Sequence, residues 1–173
     1  MISQNKKILA HLFGMLLLFF GFQSNAEENQ NIIEIKNPIF TTKSIDGSPY
    51  EIKAEKGLQR ENFLDLFVIE AKLKTNKDIW IYLTADKGTF NQSSGEILLE
   101  SNIEIYTEAN EKIFAELANV NTNGKIITLK KNVKYQDSNI FISADESIIN
   151  DELSNITYYG NVKSKILKNK SYE

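Results

Sequence analysis

The chain has no cysteine, one histidine and one arginine among its 173 residues. Without cysteine there is no disulfide and no thiolate zinc site, although this leaves the compartment open. The one histidine, His11, lies in the N-terminal targeting segment. The rest of the chain therefore lacks the imidazole that a Ser-His-Asp triad or a His-rich metal site requires. Arg60 is the only guanidinium, and 20 basic residues face 23 acidic ones. Nucleic-acid binders carry the opposite balance, with arginine forks for phosphates, so the composition speaks against that class. No glycine-rich phosphate loop is present. Carboxylates are plentiful, which keeps a carboxylate-pair hydrolase formally open. Hydrophobic residues make up 42% and charged residues 25%, the balance of a globular chain.

Residues 1–26 read as a targeting segment. Lys6 and Lys7 precede a mostly apolar stretch over residues 8–22, and Ser24-Asn25-Ala26 places small residues at −3 and −1 of a cleavage site. That stretch is shorter than the roughly 20 residues that span a bilayer comfortably. It fits a hydrophobic helix serving either as a cleaved signal peptide or as a retained anchor with its N-terminus inside. Either way the remainder is exported. The expected organisation is a targeting segment over 1–26, a linker or first strand over 27–36, one β domain over 37–168, and a tail over 169–173.

The exported part repeats itself. The phrases IKAE, LTAD, IFAE and ISAD place Ala54, Ala85, Ala115 and Ala144 at nearly equal intervals. Asn102, Asn132 and Asn161, each followed by Ile or Val, keep one constant offset from Ala85, Ala115 and Ala144 respectively. A fixed period in the range of roughly 20–50 residues marks stacked supersecondary units.

Within each unit the apolar residues alternate. Ile79, Ile81, Leu83 and Ala85 share one phase and Trp80, Tyr82 and Thr84 the other. Period 2 with β-branched and aromatic side chains predicts strands with one buried face. The recurring alanines and the apolar residue two before each point inward on this reading. Glu55, Asp86, Glu116 and Asp145 point to water, as on a solvated sheet face. Gly95 and Gly124 supply turns, and the repeated asparagines read as turn residues that open a third short strand. The stretch 63–73 reads as a strand, with Ala71 standing to Ala54 as Asn102 stands to Ala85. No helix longer than two turns is expected after residue 30. Hairpins of this length cannot close a core singly. The predicted fold is all-β: an elongated two-sheet sandwich or jelly roll of antiparallel repeats of about 30 residues, with open edges.

Three stretches carry a family resemblance. NPIFTTKSIDGSPYEIKAEKG (37–57), LTADKGTFNQSSGEILLESNIEIY (83–106) and ISADESIINDELSNITYYGNVKSKI (142–166) resemble the LptC family, the periplasmic component of the lipopolysaccharide-export ABC transporter. The last stretch also resembles the repeat shared with the soluble bridge protein LptA and the OstA-like domain. Asn37-Pro38-Ile39-Phe40 and Asp46-Gly47-Ser48-Pro49-Tyr50 favour LptC. The resemblance implies a twisted jelly roll without enzymatic activity or cofactor. It implies a protein in the periplasm, held at the inner membrane by its N-terminal segment. That protein takes lipopolysaccharide from the transporter and passes it to LptA along a hydrophobic groove.

The site residues follow from phase and resemblance together. Ile52, Leu83, Ile103, Ile105, Ile113, Ile127, Val133 and Ile142, with Leu129, form the inward apolar face. It is either plain core or, as the resemblance implies, the seat of acyl chains. Burial of each CH₂ contributes about 0.8 kcal/mol, so such a face needs no polar chemistry to bind lipid. Tyr158, Tyr159, Val162, Ser164 and Ile166 lie on the last strand, an expected open edge to which a partner strand adds. Lys163, Lys165 and Lys168 guard that edge against indiscriminate pairing. Trp80 and Tyr82 read either as cross-strand pairs or as a partner surface. Two other roles stay open: the soluble bridge version of the same fold, and a structural β-repeat protein that binds no lipid.

Overall fold

A computed structural model describes residues 32–43, 49–75, 78–121, 126–150, 153 and 155–167. The targeting segment with its hydrophobic helix and cleavage site, residues 44–48 of the Asp-Gly-x-Pro-Tyr phrase, Gly124 and the tail lie outside the described residues.

Eleven strands follow one another: β1 (Ile33–Lys36), β2 (Ile39–Lys43), β3 (Pro49–Arg60), β4 (Phe63–Lys74), β5 (Trp80–Asn91), β6 (Glu96–Thr107), β7 (Lys112–Asn121), β8 (Ile126–Gln136), β9 (Ile140–Asn150), β10 (Asn155–Tyr159) and β11 (Lys163–Ile166). They form a single antiparallel sheet in sequence order, with no helix among the described residues. At one end β1 and β2 both pair with β3, and at the other β10 and β11 both pair with β9. The sheet does not close. The 63–73 stretch is β4, as its alternation predicts.

Of the three repeated asparagines, only Asn161 opens a new short strand, β11; Asn102 and Asn132 do not. β6 runs unbroken through Asn102 and β8 through Asn132. Each strand carries one extra residue there relative to both neighbours, so the ladder register shifts between Glu100 and Ile103 and between Lys130 and Val133. Ser101 and Asn102 both have positive φ (65° and 51°), as do Lys131 and Asn132 (63° and 57°). A β-bulge bends its strand and sharpens the local twist, and asparagine tolerates the left-handed region better than most residues. The last repeat uses Gly160 and Asn161 (φ 66° and 45°), where the bend is sharp enough to separate β10 from β11. Asn37 (φ 47°) does the same between β1 and β2, where the Asn37 N–H donates to the Glu55 carbonyl.

This geometry accounts for the constant offset between alanine and asparagine. In the second unit the alanine, the two ends of the hairpin and the asparagine fall at positions 85, 91, 96 and 102. The next two units repeat the same steps, at 115, 121, 126 and 132 and at 144, 150, 155 and 161. The first unit differs. Its hairpin has only Glu61 and Asn62 between Arg60 and Phe63, and β4 bends at one residue, Val68 (φ 55°), without an extra one. The equivalent position in this unit is therefore Val68, earlier than the other units suggest, and Ala71 is an ordinary strand residue.

The bends align into a crease across the sheet. Inward residues run 81, 83, 85 on one side of it in β5 and 88, 90 on the other. A strict period of 2 would have put residue 87 inward. Leu129, Val133 and Ser147 are fully buried (0% exposed), and Ile103 and Ala118 nearly so (1%). The two sheets expected from the sequence are here one continuous sheet, and no helix among the described residues covers these side chains; the sheet's own bend and its neighbouring strands exclude solvent from them. Each large apolar side chain buried there stabilises by about 1.5–3 kcal/mol.

The alanines line the crease and are buried, as predicted. A second small residue lies three positions after each: Gly57, Gly88, Ala118 and Ser147. Gly57 and Gly88 both pair with Leu66, so small and large alternate across the strands. A Cβ on Gly88 would lie 2.7 Å from Ile69 Cδ1 and 3.0 Å from Leu99 Cδ2. At the crease the halves converge, and a larger residue would overpack.

Candidate functional site

The predicted inward residues all fall on the inner face, but their burial is graded. Ile103, Ile105, Ile113 and Val133 are buried at the centre. Ile52, Leu83 and Ile127 are half-buried and pack against that centre, and Ile142 is half-buried on β9. The structure adds Phe40, Ile81, Phe90, Ile97, Val120 and Tyr135 to the packed set. Phe90 and Val120 lie beyond the crease, where the phase slips by one residue. The slip falls in register with the bulges of the neighbouring strands β6 and β8 and left no mark in the sequence of β5 or β7.

The two arms of this face differ. Towards β10, the Tyr135 and Tyr158 rings meet edge to face with centroids 6.4 Å apart. Leu153 and Ile156 close over Ile105 and Ile113, leaving a void of about 10 Å³, room for no more than one water. The Tyr135 hydroxyl donates to Asp137 Oδ2 at 3.1 Å. Burial raises its pKa far above the usual phenol range, reinforced by the Asp137 and Glu111 carboxylates. Burial alone pushes Tyr158 up to about 12. This arm is packed and holds its phenols neutral. Towards β2, Phe40, Ile52, Leu73, Ile81 and Leu83 are half-buried along β2 to β5, as Ile127, Ile140 and Ile142 are on β8 and β9.

The outward carboxylates have a structural task. Asn102 Nδ2 donates to Asp86 Oδ2 and Asn161 Nδ2 to Asp145 Oδ2, both at 2.8 Å. Each bond clasps a bend to the strand beside it. The Asp145 N–H also donates to the Gly160 carbonyl at 3.0 Å. Glu116 and Glu55 occupy the same outward position in the other two units and are exposed.

One polar cluster escaped the sequence reading. Asp65 on β4 is buried, paired with Arg60 and accepting from Thr89 Oγ1 at 2.8 Å. A buried carboxylate requires such partners, and breaking one is costly. The chain's one arginine is thus engaged in holding the β3–β4 hairpin. A shallow hollow of about 340 Å³ beside it is lined by Arg60, Glu61, Phe63 and Thr89.

On the outer face Tyr82 and Tyr106 stack with centroids 5.0 Å apart, and Lys72 and Lys74 lie 5.7 and 5.8 Å from the centre of the Trp80 ring. These are cross-strand pairs. At the last strand, Tyr159, Val162, Ser164 and Ile166 are exposed, whereas Tyr158 turns inward. β10 and β11 pair only with β9, so their outer backbone groups meet no other described strand. Ile33 and Ile39 are likewise exposed at the opposite edge.

No family model matches the chain, and no curated protein matches it.

Proposed function

We propose that the chain is a non-enzymatic lipid-transfer scaffold of the cell envelope, built as a two-layer jelly roll of the OstA-like type. In this reading it stands in the periplasm, tied to the inner membrane by residues 1–26. It takes lipopolysaccharide from an inner-membrane ABC transporter and passes it to a soluble LptA-like bridge. The observation that carries the reading is a continuous apolar inner face in an unclosed sheet, half-exposed over β3–β5. Acyl chains enter where Ile52, Ile81 and Leu83 are only partly covered, and the open β10–β11 edge receives a partner strand.

Photo-crosslinking in intact cells tests it. A photo-reactive residue at Leu83 or Ile52 should label lipopolysaccharide, and one at Thr84 should not, because successive residues face opposite sides. Equal labelling of both phases would discard the groove. The tight packing around Leu129 and Val133 favours a second reading, a structural β-repeat with a dry interior. No labelling from either phase would select it.

A further inference from the structure

Most described lysines of the sheet are matched. Lys53, Lys56, Lys72, Lys74, Lys87, Lys112 and Lys130 each lie within 3.5 Å of a carboxylate oxygen. Lys36, Lys131, Lys134, Lys163 and Lys165 form no ion pair among the described residues, and the last three sit together on the outer face of β8 and β11. Lys134 and Lys163 are in register with Ser143 from either side. Strands lie about 4.8 Å apart, so these two lysines stand roughly 10 Å apart with the Ser143 hydroxyl between them. Lys165 is two residues along β11, on the same face, opposite Phe141.

Carboxylates that could neutralise the group are engaged or distant in register. Glu104, across β7 beyond Phe114, is held by Lys112 at 2.8 Å. Asp145, the next outward residue of β9, is tied to the bend by the neutral amide of Asn161; it keeps its charge but forms no ion pair with these lysines. Glu116 lies at the crease, two residues beyond Phe114, and forms no ion pair with these lysines. Three ammonium groups thus repel one another around a hydroxyl. A phosphomonoester carries about −1.5 to −2 charges and several acceptor oxygens, the complement of this arrangement. Val162, just before β11, and Ile166, on the opposite face of β11 from the lysines, are 50% and 79% exposed. A ligand approaching β11 edge-on meets ammonium groups and apolar side chains together, which suits an anion joined to hydrocarbon.

We infer that Lys134, Lys163, Lys165 and Ser143 form a binding site for the phosphomonoester headgroup of a lipid. This does not require the interior to hold acyl chains. Lysine footprinting tests it on the full chain in neutral maltoside micelles, with and without phosphatidic acid doped into them. Acetylation of Lys134, Lys163 and Lys165 should slow about fivefold in doped micelles, since each such lysine gains roughly that in occupancy near an anionic surface. Lys56, Lys87 and Lys130 should change less than twofold. In K163Q the protection of Lys134 and Lys165 should fall severalfold. Uniform slowing of all lysines, or none, overturns the site. Equal protection by inorganic phosphate at the same concentration overturns the lipid source.

Discussion

The crease makes a sharp demand on Asn102. Its φ of 51° is a backbone conformation that asparagine tolerates and most residues do not, and its side chain spans to Asp86 at 2.8 Å. Asn102→Ala removes both features. Placing alanine in the left-handed region costs about 1–2 kcal/mol, and the lost hydrogen bond adds about 0.5–1.5 kcal/mol. The sum is roughly 2 kcal/mol on these scales. Asn102→Gly separates the terms: glycine accepts the backbone freely, so only the bond and some chain entropy are lost, about 1 kcal/mol. Asp86→Ala removes the bond and leaves the backbone alone. Urea unfolding followed through Trp80, the only tryptophan, reads these differences. At a slope of about 2 kcal/mol per molar, the Ala variant should lower the midpoint by about 1 M and the Gly variant by half that. The Asn102→Ala/Asp86→Ala double variant should lose less than the sum of its parts, because the bond can be broken only once. If Asn102→Gly destabilises as much as Asn102→Ala, the backbone argument is wrong. If the two sites add, the clasp contributes nothing.

Two further expectations concern packing and pH. Gly88→Ala should destabilise by about 1–3 kcal/mol, since its Cβ meets Ile69 Cδ1 at 2.7 Å. Gly57→Ala meets nothing nearer than 3.4 Å and should be neutral or gain up to about 1 kcal/mol by stiffening the unfolded chain; a reversed order in thermal unfolding would discount the crowding at β5. Tyr135 and Tyr158 titrate above their ordinary value of 10.0 in the folded chain. Their unfolded forms lose protons first, so stability is intact below pH 10 and falls as pH rises towards 12. Tyr158→Phe should flatten that loss, and an unchanged alkaline limb would show that these phenols do not set it.

How far the sequence speaks can be judged residue by residue. Strand identity and phase were legible because Ile, Leu and Ala alternate with Thr, Lys and Glu on both sides of each repeat. The four alanines and the outward acids were legible for the same reason. The crease was not. Asn102 and Asn132 carry turn chemistry, and turn chemistry in the middle of a strand reads as an ending; only the ladder register shows that β6 and β8 continue through it. The second row of small residues was hidden by the same slip, because Gly88 stands at an odd spacing from Ala85 and looks outward at period 2. Asp65 was hidden differently. Nothing in the local pattern says that Arg60, across a two-residue turn, and Thr89, on the next strand, converge on it.

The graded burial of the inner face separates stability from any binding role. Leu129 is sealed and Leu83 is not, although both occupy the inward phase of long strands. Leu129→Ala leaves a cavity that surrounding strands cannot fill, and should cost about 2–5 kcal/mol. Leu83→Ala loses contacts on a surface already reached by solvent, and should cost nearer about 1 kcal/mol, a single partly buried side chain's worth. Along the ladder row that runs Ile52, Ala71, Leu83, Ile105, Ile113, Tyr135 and Ile142, only Ile105 and Ile113 are sealed, so the face is partly open at its β3–β5 end. If the half-covered arm takes acyl chains, Leu83→Ala should keep the chain folded while lowering crosslinking from a photo-reactive residue at Ile52 severalfold. Ile52 is the informative neighbour: Ala71 alone separates it from Leu83 across the ladder, so both side chains border the same opening. Leu129→Ala, measured at a urea concentration where it too remains folded, should leave that crosslinking intact. The opposite ranking, with Leu129→Ala abolishing crosslinking and Leu83→Ala leaving it untouched, would place any lipid in the sealed arm and remove the argument from the opening over β3–β5.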